Sequence, residues 1–171
     1  MVLNKVKGFS LLEVLVILSI IGILATVAAP SFIEWRLANA MTSVLKHTAD
    51  IAKYGRALSI TQRTAITLVL DPSSNHCISL TSDDDCDCSV ENSCRVLTQK
   101  KRLLVNSYDA DFSLPKNQKT GLIFDGTHGM SFGSALTITF SNALYTGKVI
   151  INNVGRVRYC VTSELEDIPQ C

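Results

Sequence analysis

The chain has 171 residues, with 16 lysines and arginines against 15 acidic residues and a formal net charge of +1. So even a balance excludes recruitment of nucleic acid by bulk charge, and any such role must come from local clustering. The length suits one helix and one modest domain, and the 47% hydrophobic content is inflated by a single amino-terminal stretch, which leaves a small core for the rest.

Residues 1–8 (MVLNKVKG) form a short basic leader. Its removal takes Lys5 and Lys7 and leaves 14 basic side chains against 15 acidic ones. Residues 9–32 are apolar apart from one charge, Glu13. At ~1.5 Å per residue this run makes a helix long enough to cross a ~30 Å hydrocarbon core. An ion at the bilayer centre costs about 2.5–3.5 kcal/mol, and less near the interface, so Glu13 asks for a cationic partner. A plain signal anchor, or a secretory signal cut near Ala28-Ala29, would also be apolar, but neither explains an acid inside the run.

The segment Lys7-Gly8-Phe9-Ser10-Leu11-Leu12-Glu13-Val14-Leu15 resembles the processing site of type IV pilins and pseudopilins. The resemblance implies that a prepilin peptidase cuts between Gly8 and Phe9 and methylates the new amino terminus. It also implies that Glu13 pairs with the Phe9 amine of a neighbouring pilin during filament assembly. Pro30 matches the family's helix-kinking proline. The implied location is the inner membrane with a periplasmic head, then a cell-surface pilus of a Gram-negative bacterium.

Beyond Pro30, Leu37, Met41, Val44, Thr48, Ile51, Gly55 and Leu58 recur at three- and four-residue spacing. Arg36, Asn39, Ser43, Lys46, His47, Asp50 and Lys53 lie mostly off that stripe. This predicts an amphipathic helix continuing the apolar one, over residues 9–59 in all, with one face for a sheet. From Thr64 the period shifts to two. Strands are predicted over 64–70 and 76–81 as a hairpin, then over 95–99, 103–108, 121–124, 130–132, 136–140, 148–152 and 156–161. A helix followed by many short strands indicates an α+β fold with antiparallel sheets, a soluble head over residues 33–171.

Six cysteines, Cys77, Cys86, Cys88, Cys94, Cys160 and Cys171, all follow the apolar run. Beyond a membrane they read as a disulfide framework, for which 15 pairings are possible. Cys160–Cys171 is the preferred closing pair; the other four staple the segment 77–94 in an order the spacing leaves open. Zinc needs ligand pairs at other spacings than Cys86-x-Cys88, so no metal is expected. The acidic run Asp83-Asp84-Asp85-Cys86-Asp87 lacks the spaced ligands of a calcium loop and reads as a solvated loop, expected away from any DNA site. His47, His76 and His128 are scattered, and no catalytic arrangement or cofactor motif is discernible, so an enzyme is not expected.

Gly155-Arg156-Val157-Arg158 is the strongest functional candidate. Alternate residues of a strand share a face, so Arg156 and Arg158 project together, ~7 Å apart, each able to take a phosphate fork-wise. Gly155 permits the turn that presents them, and Lys148 extends the patch from the preceding strand. Lys116 and Lys119 are further candidates, and Lys100-Lys101-Arg102 reads as a solvated turn. Two solvated arginines protecting an edge strand would look the same. Phe124-Asp125-Gly126, residues 136–140 and Val149 through Arg158 resemble the ending of the FimT/GspH group of minor pilins. In competence-linked FimT-like pilins a Gly-Arg-x-Arg segment of this kind binds DNA. The resemblance therefore implies sequence-independent capture of extracellular DNA for natural transformation. The alternative is a type II secretion minor pseudopilin or a pilus-assembly subunit that makes no DNA contact.

Overall fold

The structure is a computed structural model that describes residues 9–73, 76–83, 86–88, 90–91, 93–96, 101–116, 120–133, 135–165 and 167–171, the side chain of Val27 aside. It forms two compact units, the first ending at Arg36 and the second spanning Leu37–Cys171. A single helix, α1 (Leu11–Gln62), contributes to both and passes through Pro30.

In the first unit the helix exposes its apolar residues on all sides, Leu12, Leu15, Ile20, Ile21 and Leu24 among them. Such a surface is stable only against lipid or other apolar helices. Two of its hydroxyls are satisfied internally: Ser19 donates to the Val16 carbonyl and Thr26 to the Ile23 carbonyl, each at 2.7 Å. That arrangement suits a medium without water. No single straight helix among the described residues is long and apolar enough to cross a membrane, but Leu11–Thr26 and Ala28–Gln62 taken together have the length and composition. Glu13 lies in the first helical turn, where a negative charge also complements the helix dipole. Gly8, the expected cleavage residue, lies outside the described residues, and Phe9 is exposed.

In the second unit α1 buries Leu37, Met41, Val44, Leu45, Thr48, Ala49, Ala52, Gly55 and Leu58, close to the predicted stripe. Two antiparallel four-stranded sheets complete the core. The first has the order β3-β2-β1-β5, from β1 (Ile66–Asp71), β2 (Cys77–Thr81), β3 (Arg102–Leu104) and β5 (Gly121–Phe124). The second has the order β4-β6-β7-β8, from β4 (Asp111–Ser113), β6 (Leu136–Ser141), β7 (Thr146–Ile151) and β8 (Val157–Val161). Ile66, Leu68, Leu80 and Phe124 of the first sheet and Ile138, Phe140, Val149 and Ile151 of the second join the helix stripe in one cluster.

The cysteine segment covers the outer face of the first sheet. All five residues of β2 are buried, which requires cover on both sides. Ile78 and Leu80 belong to the main core, while Cys77 packs with Cys88, Cys94, Cys86 and Val69 in a separate cluster. The open pairing is resolved as Cys77–Cys88 and Cys86–Cys94, interleaved, and Cys160–Cys171 closes as expected.

Several predicted strands change. Residues 103–108 divide into β3 and a 3-10 turn (Val105–Tyr108), whose first N–H donates to the His76 carbonyl at 2.8 Å. Residues 130–132 are no strand, because their backbone bonds go to Asp125 and Asn153 instead of a ladder. Val96 makes an isolated bridge, and 97–99 lie outside the described residues. Strand β4 was not anticipated, since three residues with one buried side chain, Phe112, carry no readable period.

Candidate nucleic-acid interface

The hairpin β7–β8 carries the basic residues. Its register pairs Ile151 with Val157, Ile150 with Arg158, and Lys148 with Cys160. Directly opposed residues share a face, so Arg158 and Lys148 project from the same side as diagonal neighbours, about 7–8 Å apart at the backbone. Residues of the other side, Val149, Ile151 and Val161, are fully buried.

Arg156 lies one residue before β8, in the connecting loop. Asn152 N–H donates to the Arg156 carbonyl at 3.2 Å and Gly155 N–H to the Asn152 carbonyl at 2.8 Å. Arg156 N–H donates to Asn152 Oδ1 at 2.8 Å. This is a three-residue hairpin loop whose last position must be left-handed, and Gly155 has φ of 74°. Arg156 lies just beyond the ladder, whose last pair is Ile151 with Val157, and two residues before Arg158. Among the described residues no carboxylate pairs with any of the three cations.

The loop rests on a platform built from residues 125–131. Asp125 Oδ1 accepts from Thr127 N–H and His128 N–H, and Oδ2 accepts from Met130 N–H at 2.6 Å. The Gly129 carbonyl then accepts from Arg56 Nε of α1 at 3.1 Å. Buried Ser131 donates its N–H to the Asn153 carbonyl at 3.0 Å and its hydroxyl to the Asn152 carbonyl at 2.9 Å. The resemblance-bearing Asp125-Gly126 thus positions the arginine turn.

The His128 N–H bond, then those from Met130 and Thr127 with the nearby imidazole, hold the Asp125 carboxyl below the usual aspartate range against a partial loss of solvation. A depressed folded-state pKa stabilises the fold at pH above the unfolded value, near 4, and the contribution is lost as pH falls through the folded value. Asp125→Asn turns an amide donor toward an N–H donor. Scanning calorimetry is expected to show the variant melting below wild type at pH 7, with the gap closing as pH falls toward about 2. A gap independent of pH would place the effect elsewhere than in ionisation.

Lys101, Arg102 and Lys116 are the remaining basic candidates among the described residues. Lys101 lies over the Tyr54 ring at 5.2 Å, beside β3 of the first sheet. Lys116 precedes β5 of that sheet, and Lys100 and Lys119 lie outside the described residues. Of the acidic run, Asp84 and Asp85 lie outside the described residues, while Asp83, Cys86 and Asp87 follow β2, in the sheet other than that of the arginines.

Residues 3–29 match the family described as the prokaryotic N-terminal methylation motif. No curated protein sequence matches the chain. Among solved structures the chain is similar to the type IV minor pilin FimU of Pseudomonas aeruginosa (strain PAO1), with 14% sequence identity over 74% of this chain and 98% of that one, at a TM-score of 0.52. A long amino-terminal helix followed by antiparallel sheets is the arrangement the two share. The chain therefore opens with the prokaryotic N-terminal methylation motif and has a fold similar to that of a type IV minor pilin.

Proposed function

We propose that this minor pilin captures extracellular DNA through Arg156, Arg158 and Lys148 for uptake in natural transformation, in the manner of FimT-like pilins. The observation that supports the reading is the β7–β8 register, which sets Lys148 and Arg158 on one face of the hairpin with Arg156 in the adjoining loop, none of them with a carboxylate partner among the described residues. Contacts to phosphates alone are sequence-independent and weak per subunit, and several copies in a filament multiply them. Cleavage between Gly8 and Phe9, pairing of Glu13 with a neighbouring Phe9 amine, and passage from the inner membrane into a pilus of a Gram-negative cell supply the assembly.

Electrophoretic mobility shift of the mature protein in detergent tests the reading. Wild type is expected to bind duplex DNA with a slope of log affinity against log salt of about −2.7, for three phosphates. Arg156→Ala with Arg158→Ala is expected to lower affinity at least about tenfold. No binding by wild type at low salt, or equal binding by both forms, removes the assignment. The exposed apolar helix of the first unit favours a second reading, a pilus-assembly subunit or secretion pseudopilin that needs no DNA. Filament incorporation by a wild type that binds no DNA would leave that reading standing.

A further inference from the structure

An open groove of about 480 Å³ runs between α1 and the β7–β8 loop. Its cations are Lys53 and Arg56 of α1 and Arg156 of the loop, and its apolar wall is formed by Ala57, Ile60 and Val157. Lys53 and Arg56 are three residues apart on the helix, so their side chains rise from one face.

Both helix cations are held in place with their charge available. Arg56 is tethered by its single bond from Nε to the Gly129 carbonyl, and no carboxylate pairs with it among the described residues. A guanidinium anchored at Nε keeps the outer edge of its fork for a phosphate. Lys53 lies 5.9 Å from the centroid of the Tyr159 ring. Its one acidic neighbour, Asp50, is 3.5 Å away and well exposed, a pairing of little strength in water. Arg156 lines this groove and lies two residues before Arg158, so the groove adjoins the hairpin.

We infer that the groove is a second segment of the nucleic-acid interface. Lys53 and Arg56 take successive backbone phosphates of a DNA strand that Arg156 leads over from the hairpin face, and Ala57, Ile60 and Val157 lie beneath its sugars. The inference rests on the DNA-binding reading and extends it to helix residues that the β-strand motif does not contain.

The test is fluorescence anisotropy with labelled single-stranded and duplex DNA, over a salt series, on the mature protein in detergent. Lys53→Gln is expected to melt as wild type does, to weaken binding about threefold or more, and to reduce the salt slope by about 0.9 for duplex or 0.7 for single strands. Lys53→Arg is expected to restore both. If Lys53→Gln leaves affinity and slope unchanged while Arg156→Ala with Arg158→Ala loses binding, the groove is overturned and the hairpin reading stands. If Lys53→Gln weakens binding and Arg158→Ala with Lys148→Ala, which lie outside the groove, does not, the groove stands and the hairpin face falls. Failure of wild type to bind either DNA at low salt removes both.

Discussion

Gly155→Ala is expected to destabilise the head by about 2–5 kcal/mol and to remove DNA binding with it. Two costs combine. The backbone at Gly155 is left-handed, with φ of 74°, and a side chain there costs roughly 1–2 kcal/mol. A Cβ would also fall 2.3 Å from the Gly129 carbonyl oxygen and 2.9 Å from Arg56 Nε. The oxygen is backbone, held by the Asp125 turn, and cannot give way without opening the platform, so an overpacking cost of about 1–3 kcal/mol adds to the first. The molecule supplies its own control in Gly133, which has φ of 70° and nothing within 4 Å of the same added atom. Gly133→Ala therefore isolates the backbone cost, about 1–2 kcal/mol. Urea unfolding of the two variants measures the difference; equal midpoints would mean that the contact with Gly129 and Arg56 contributes nothing.

The second large effect belongs to the carboxy terminus. Strand β8 is the last strand of its sheet, and the tail runs back along its end. Val161 N–H donates to the Pro169 carbonyl at 3.0 Å, Cys171 N–H donates to the Val161 carbonyl at 2.9 Å, and Val161 bridges Gln170 in parallel. Cys160–Cys171 closes this loop across 11 positions. Cys160→Ser with Cys171→Ser is expected to cost about 3 kcal/mol, because the unfolded chain regains the freedom of that loop. The released tail leaves the end of β8 unpaired, and an open edge recruits other strands. Size-exclusion chromatography is expected to show self-association that wild type lacks. A variant with the wild-type unfolding midpoint and elution volume would show that backbone pairing alone holds the tail.

Local signals carried much of the fold. The stripe from Leu37 to Leu58 is buried almost as spaced, since helical periodicity is a property of one segment. The β1–β2 hairpin was legible from two β-branched runs separated by the turn residues 71–75, at whose start Asp71 accepts from Ser73. Where readings failed, the competing bonds were distant. Met130 and Ser131 look like strand residues, but their N–H groups are taken by Asp125 and Asn153. The order of the first four cysteines was not legible, because closing loops of similar length costs nearly the same entropy. Strand β2 decided it by placing Cys77 on the outer face, against Cys88.

The candidate site divides in the same way. Composition and a short contiguous motif marked the apolar stretch with its lone Glu13, the leader before Phe9, and the Gly155-Arg156-Val157-Arg158 segment, because each is written in neighbouring residues. Only the tertiary structure decided which cations meet. Lys148 joins Arg158 through a cross-strand register, and Gly155 is required because a distant carbonyl, that of Gly129, lies against it. Lys53, which lies off the buried stripe when read along the chain, and Arg56, which the periodicity does not single out, come beside Arg156 only when α1 packs against the β7–β8 hairpin. Periodicity records which face of an element is buried; it does not record which other element that face meets.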